Sequence, residues 1–241
     1  MDLTTFSIDD TPDRVRRLCS KALRPLKQEL TNDLGITSLN LTVGAVCVYH
    51  ALVETAAKAL KGSNIPVAAV STGFPHGLSP LPRRIEEIRD SVSAGALEID
   101  IVITRAHVFS GNWEALYQEI KSFREACGDS HLKTILATGE LGSLRNVAKA
   151  SLVCMMAGAD FIKTSTGKEP QNATLPVSLV MLRMIRDYHQ KTGYRVGFKP
   201  AGGIRTAKQA LEWQILMNDC LLYTSDAADD TPCVDLGGRR I

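Results

Sequence analysis

The feature that most restricts this chain is a repeat of short, β-rich apolar runs separated by helical stretches. The runs are residues 43–49, 66–70, 98–103, 132–137, 160–164 and 194–198. Their centres are spaced by roughly 25–35 residues, the length of one βα unit. Residues 82–94 open with Pro82 and set Ile85, Ile88 and Val92 at helical spacing. Residues 113–126 put Trp113, Leu116, Tyr117, Ile120 and Phe123 on one face, and 144–157 and 176–189 repeat the pattern. A further helix opens at Ala207, and Gly128, Gly158 and Gly193 stand just past helix ends, where a left-handed residue is wanted. An opening strand over residues 2–6, followed by a helix over 11–23, brings the strand count to seven. Strands alternating with single helices predict a parallel sheet with helices outside. No GxGxxG follows the first strand, as an open dinucleotide-binding sheet would require. Instead Asp100, Lys133, Lys163 and Lys199 fall toward the C-terminal ends of different strands, the pattern of a (β/α)8 TIM barrel.

Composition agrees with a single soluble unit of that kind. The chain has 241 residues, 44% of them hydrophobic, and 28 basic side chains against 26 acidic ones. The net charge of +2 and an aromatic content of 5% give no electrostatic or stacking case for nucleic acid or for an anionic membrane. No apolar run approaches the ~18 residues of a membrane span. Cys19, Cys47, Cys127, Cys154, Cys220 and Cys233 are scattered, with no CxxC spacing. With no signal peptide at the start, the expected setting is a reducing cytoplasm.

Two lysines occupy corresponding places. Lys163 follows Phe161 and Ile162 and precedes a small polar loop; Lys199 follows Gly197 and Phe198 and precedes Pro200-Ala201-Gly202-Gly203. Either alone reads most simply as a solvated strand end. As a pair aimed into a barrel mouth they suggest amine catalysis. A free lysine titrates near pH 10.4. A second ammonium about 4 Å away at an effective dielectric near 20 opposes its charge by roughly 4 kcal/mol, about three pKa units. The neutral amine could then attack a carbonyl and form a Schiff base. Asp100, in the apolar strand 98–103, is the candidate proton shuttle; alternatively it forms an internal salt bridge without chemistry. By strict alternation Glu98 shares its face. The segments Gly167-Lys168 and Gly202-Gly203-Ile204-Arg205 follow strands, and the second leads into a helix, an arrangement that cradles phosphate.

Asp160–Lys168 (DFIKTSTGK), Val196–Thr206 (VGFKPAGGIRT) and the opening Asp2-Leu3-Thr4-Thr5 resemble the deoxyribose-phosphate aldolase family, its eukaryotic branch most closely. So do Ala45–Tyr49, Gly73–Gly77, Glu98–Asp100 and Leu132–Leu141, in order from about residue 2 to about residue 217. The resemblance implies a class I aldolase of deoxyribonucleotide catabolism. It would split 2-deoxy-D-ribose 5-phosphate reversibly into D-glyceraldehyde 3-phosphate and acetaldehyde. Lys163 would carry the Schiff base, Lys199 would ease its deprotonation, and Asp100 with Lys199 would relay protons. Lys133 would lie beside them, paired with Asp100. Asp2 and Thr4 would help bind the sugar, and Cys47 would border the site or serve only as a small buried filler. Gly167, Lys168, Gly202, Gly203 and Arg205 would hold the phosphate. The family uses no metal and no organic cofactor. The expected partners are a small phosphorylated sugar and an aldehyde, with neither nucleic acid nor membrane; a homo-oligomer is left open.

The chain departs from the family in places. His50 stands where proline is usual. Residues 220–241 (CLLYTSDAADDTPCVDLGGRRI) show no helical period and no eighth-strand phosphate loop, and the N-terminus starts abruptly at the first strand. The expectation is a barrel domain over 1–219 lacking its eighth strand–helix unit, with 220–241 a non-native or disordered tail. Strands one and seven would then have unpaired edges, half of the phosphate site would be missing, and stability and activity would be low. The alternatives are a divergent eighth strand at 234–238 and, for function, a barrel that binds phosphate or a partner without turnover.

Overall fold

Strict alternation of side chains along the strands divides the protein into two interiors. In a computed structural model, which describes residues 1–221 and the backbone of residues 235–236, strand and helix alternate as the sequence predicts. The strands are β1 (Asp2–Thr4), β2 (Ala45–Tyr49), β3 (Val67–Ser71), β4 (Glu98–Val102), β5 (His131–Ile135), β6 (Phe161–Lys163), β7 (Gly197–Lys199) and β8 (Asp235–Leu236). The helices are α1 (Pro12–Leu23), α2 (Gln28–Asp33), α3 (Val53–Ala59), α4 (Leu81–Ser93), α5 (Arg105–Phe109), α6 (Trp113–Cys127), α7 (Leu144–Met156), α8 (Leu175–Thr192) and α9 (Ala207–Cys220). The short helices α2 and α5 carry too little periodicity to be read from sequence.

All strand pairs are parallel, in the order β7-β6-β5-β4-β3-β2-β1-β8. Seven of them follow the curl of a TIM barrel. The outer edge of β1, expected to be unpaired, carries two residue pairs with β8, Asp2 with Asp235 and Leu3 with Leu236. Among the described residues β7 and β8 do not pair. The rest of the expected tail, residues 222–234 and 237–241, lies outside the described residues.

Outward-facing Val46, Val48, Ile99, Ile101, Leu132, Ile162 and Phe198 form one continuous core with helix residues such as Ile88, Phe123, Cys154 and Ile185. Each large side chain buried there contributes about 1.5–3 kcal/mol. Inward-facing Ala45, Cys47, Ala68 and Val70 on β2 and β3 form a separate small cluster capped by Phe6, Tyr49 and Phe74. The remaining inward positions, on β1 and β4–β7, are largely charged. Helix starts are fixed locally: Thr11, Asn112, Ser143 and Thr206 each accept a first-turn N–H. Among the described residues, no helix is long and apolar enough to cross a membrane.

Candidate active site

Parallel register puts chemically matched residues side by side. Lys163 of β6 is the pairing partner of Lys199 of β7, and Asp100 of β4 that of Lys133 of β5. Because paired residues in adjacent strands share a face, all four project inward. Lys163 Nζ donates to Asp100 Oδ2 at 2.7 Å, and Lys199 Nζ lies 3.7 Å from that same oxygen. Lys133 Nζ is 3.5 Å from Asp100 Oδ1. Lys199 also donates to Asp2 across the interior, and Lys133 to Glu98.

The six groups are three lysines and three carboxylates, so their formal charges balance. All are buried. Such burial is tolerated only when each charge is paired, since losing one partner of a buried pair costs about 3–5 kcal/mol. Burial pushes the carboxyl of Asp100 up, but Lys133, Lys163 and Lys199 outweigh it and hold Asp100 well below the usual range. Asp2 is lowered in the same way: burial opposes, and Lys199 and Lys133 prevail. Burial likewise disfavours charge on Lys133, but the carboxylates of Asp100 and Glu98 raise it above its ordinary value.

Around this centre the loops are stitched together. Thr164 N donates to Lys199 O at 3.1 Å, and Ala201 N donates to Thr164 Oγ1 at 2.9 Å. The β6 and β7 loops therefore run side by side. A Cβ on Gly202 would lie 2.5 Å from Asn172 Cγ, and its φ is +83°, so glycine is needed there twice over. Gly167, with φ +84°, faces Gly202 directly. Lys168 Nζ reaches back to Phe6 O at 3.0 Å, tying this loop to the chain that follows β1. The loop is held by Glu169, whose two carboxylate oxygens both accept from Thr166 N at 3.0 Å.

Two sequence expectations are sharpened by these contacts. Lys133 is bound more closely by Glu98 than by Asp100. Asp2, expected to contact the sugar, directs one oxygen to Lys199, while its buried Oδ1 has no hydrogen-bond partner among the described residues. At the start of α9, Gln209 Oε1 accepts from Arg205 N at 2.8 Å and Thr206 N at 3.2 Å, completing a capping box. Those two N–H groups are therefore spent within the protein. Arg205 has an exposed side chain. Thr4 and Cys47 are register partners on the inward face, beside the small apolar cluster. His50 at the β2 exit meets Glu87 Oε1 at 3.2 Å, which raises its affinity for a proton.

Sequence reasoning missed Glu98 and Glu169 as parts of the site. Alternation put Glu98 on the face of Asp100, so a signal existed; only its partner was missing. Nothing in the sequence flagged Glu169, whose role depends on the loop's turn.

Comparison with known proteins identifies the family. The family model described as the DeoC/LacD family aldolase matches residues 1–215. The chain is 61% identical to the deoxyribose-phosphate aldolase of Mus musculus over 221 residues, covering 91% of this chain and 70% of that protein. It is 59% identical to that of Homo sapiens over the same shares. Among solved structures, QR15, an aldolase, superposes with a TM-score of 0.71 at 27% identity, covering 91% of this chain and 86% of that one. The deoxyribose phosphate aldolase of Aeropyrum pernix shares the fold, with a TM-score of 0.70 at 22% identity over 91% of this chain and 81% of its own. The chain belongs to the DeoC/LacD family of aldolases.

Proposed function

We propose that this protein is a class I deoxyribose-phosphate aldolase whose working unit is residues 1–219, with Lys163 as the amine nucleophile. The observation that carries the reading is the convergence of Lys163 and Lys199 on one oxygen of Asp100. Relatives 58–61% identical that carry this name support it.

The chemistry follows from the geometry. Lys163 gives up its proton through Asp100 to water, while the ammonium of Lys199 beside it disfavours charge on Lys163. The free amine adds to the C1 aldehyde of 2-deoxyribose 5-phosphate, and loss of water leaves an iminium. Removing the proton of the C3 hydroxyl breaks the C2–C3 bond. The electron pair of that bond moves toward the iminium nitrogen, leaving an enamine, and C3 departs as the aldehyde of glyceraldehyde 3-phosphate. The enamine carbon then takes a proton, and water releases acetaldehyde and restores Lys163. Asp100 lies close enough to both lysines to move each proton. The amides of Gly167, Gly202 and Gly203, with Lys168 and Arg205, hold the phosphate. Thr4 and Cys47 border the two-carbon fragment. No metal or organic cofactor enters any step. A cytoplasmic setting fits the five described cysteines, all free thiols.

Borohydride reduction in the presence of acetaldehyde tests the assignment. Hydride should fix an ethyl group of about 28 Da on Lys163 at neutral pH. No adduct, or one spread over surface lysines, would favour a barrel that binds phosphate without turnover.

A further inference from the structure

Glu98 belongs to none of the steps above, yet it sits in the same buried network. It lies on the inward face of β4, two residues before Asp100, and is 6% exposed. One carboxylate oxygen accepts from Lys133; the other is 4.0 Å from His131 Nδ1, at the rim of the sheet. Its register neighbour on β3 is Ala68, which carries no charge, and Asp2 and Lys199 act on it at longer range. Burial raises its carboxyl, but Lys133 and His131 outweigh that and keep it ionised. Lys133 is therefore held between two carboxylates, with the Phe161 ring centroid 5.7 Å from its Nζ. Its contact with Asp100 is the longer one, and among the described residues Asp100 Oδ1 has no hydrogen-bond partner.

We propose that Glu98 is a positioning residue for the aldol chemistry: by holding Lys133, it leaves Asp100 turned toward Lys163 and Lys199. Without the Glu98 charge, Asp100 is, among the described residues, the one carboxylate left in an ion pair with Lys133. The 3.5 Å separation then closes to a charge-assisted hydrogen bond. Asp100 is drawn toward β5 and away from β6. The described network now holds three ammonium groups and two carboxylates. Both effects act on Lys163 in the same sense: it has lost its anion and sits among excess positive charge, so it releases its proton at lower pH. The amine becomes easier to form while the carboxylate that serves it is misplaced.

The inference rests on the aldolase reading, and the experiment separates the two. Acetaldehyde–borohydride trapping at Lys163 is followed across pH by mass spectrometry, beside kcat for 2-deoxyribose 5-phosphate cleavage. In Glu98→Gln the trapping midpoint should fall by about one pH unit. Its kcat should drop by about tenfold or more. In Glu98→Gln/Lys133→Met the charges balance again, and the trapping midpoint should return to within about half a pH unit of wild type. A residue with a merely structural role would lower kcat without moving the midpoint, and the double variant would be no better than the single. Either result overturns the proposal. If Glu98→Gln does not fold, Lys133→Met alone decides: the interior becomes net negative, so the midpoint must rise, and a fall or no change refutes the idea. Absence of trapping at Lys163 in the wild-type protein would instead refute the aldolase reading itself.

Discussion

Replacing Asp100 by Asn should destabilise the fold by an amount that depends on pH in a definite direction. The substitution keeps the shape and one acceptor but removes the charge at the centre of the network. Asp100 Oδ2 lies 2.7 Å from Lys163 and 3.7 Å from Lys199, and Oδ1 lies 3.5 Å from Lys133. A single pair at such a distance is worth about 5 kcal/mol at an effective dielectric near 20. Three would total far more than a domain can lose. The protein has a cheaper course, which is to release a proton from one lysine. At pH 7 that costs about 4.6 kcal/mol, from about 1.4 kcal/mol for each pH unit below 10.4. The expected loss is therefore about 3–5 kcal/mol at pH 7, or a fall in Tm of about 10 °C. The unfolded variant then binds one more proton than the folded one, so stability rises with pH. The gap to wild type should shrink by about 1.4 kcal/mol per pH unit. Urea unfolding of both proteins at pH 7, 8 and 9 measures it. A gap that stays constant, or widens, refutes the account of a buried charge network relieved by lysine deprotonation.

Other perturbations probe separate parts of the structure. In the wild-type protein stability also rises with pH on the acid side: the folded state holds Asp2, Glu98 and Asp100 below their ordinary range, so their stabilisation is present above about pH 4 and lost as pH falls. Thermal melts of the wild-type protein at pH 5, 4 and 3 should show a progressive fall in Tm, and a flat Tm across that range would contradict the carboxylate shifts. In Gly197→Ala the new Cβ would lie 2.1 Å from the Phe161 ring, so a loss of about 1–3 kcal/mol is expected, partly recovered by adding Phe161→Leu. Glu169→Ala should raise KM for the phosphorylated sugar about tenfold by releasing the Thr166–Lys168 turn, with acetaldehyde trapping unchanged; Glu169→Gln keeps an acceptor and should restore it. Burial pushes the thiol of Cys19 up to about 11 and those of Cys127 and Cys154 up to about 12. Iodoacetamide at pH 8 should therefore spare all three in the folded protein and label them in urea; labelling of the native thiols would contradict their burial.

The strands and the face each residue takes were legible because both depend on periods of two and 3.6 residues, which local sequence carries. Lys163, Lys199 and Asp100 could be singled out because a charge inside an apolar run is costly unless it is paired. The partners were not legible. Asp2 and Lys199 stand 197 positions apart in sequence, and their meeting depends on how far the sheet curls. Whether Lys133 leans to Asp100 or to Glu98 depends on strand register and side-chain reach, since both acids share its face. The phosphate loops could be found as glycine runs. The capture of the Arg205 and Thr206 amides by Gln209 could not, because it turns on a single side-chain rotamer.

The division of the barrel interior has a consequence for how such a protein can change. Among the described side chains, interior charge lies on β1 and β4–β7, while Ala45, Cys47, Ala68 and Val70 form a wall of small side chains on β2 and β3. Substitutions that reshape this wall alter the room beside the reacting carbon while leaving the ion network intact. Where the altered residues do not touch that network, their effects should add to those of network variants. Selection can therefore retune the breadth of accepted aldehydes in small steps, while the proton-handling apparatus stays under separate constraint. One barrel thus carries two traits that can evolve at different speeds.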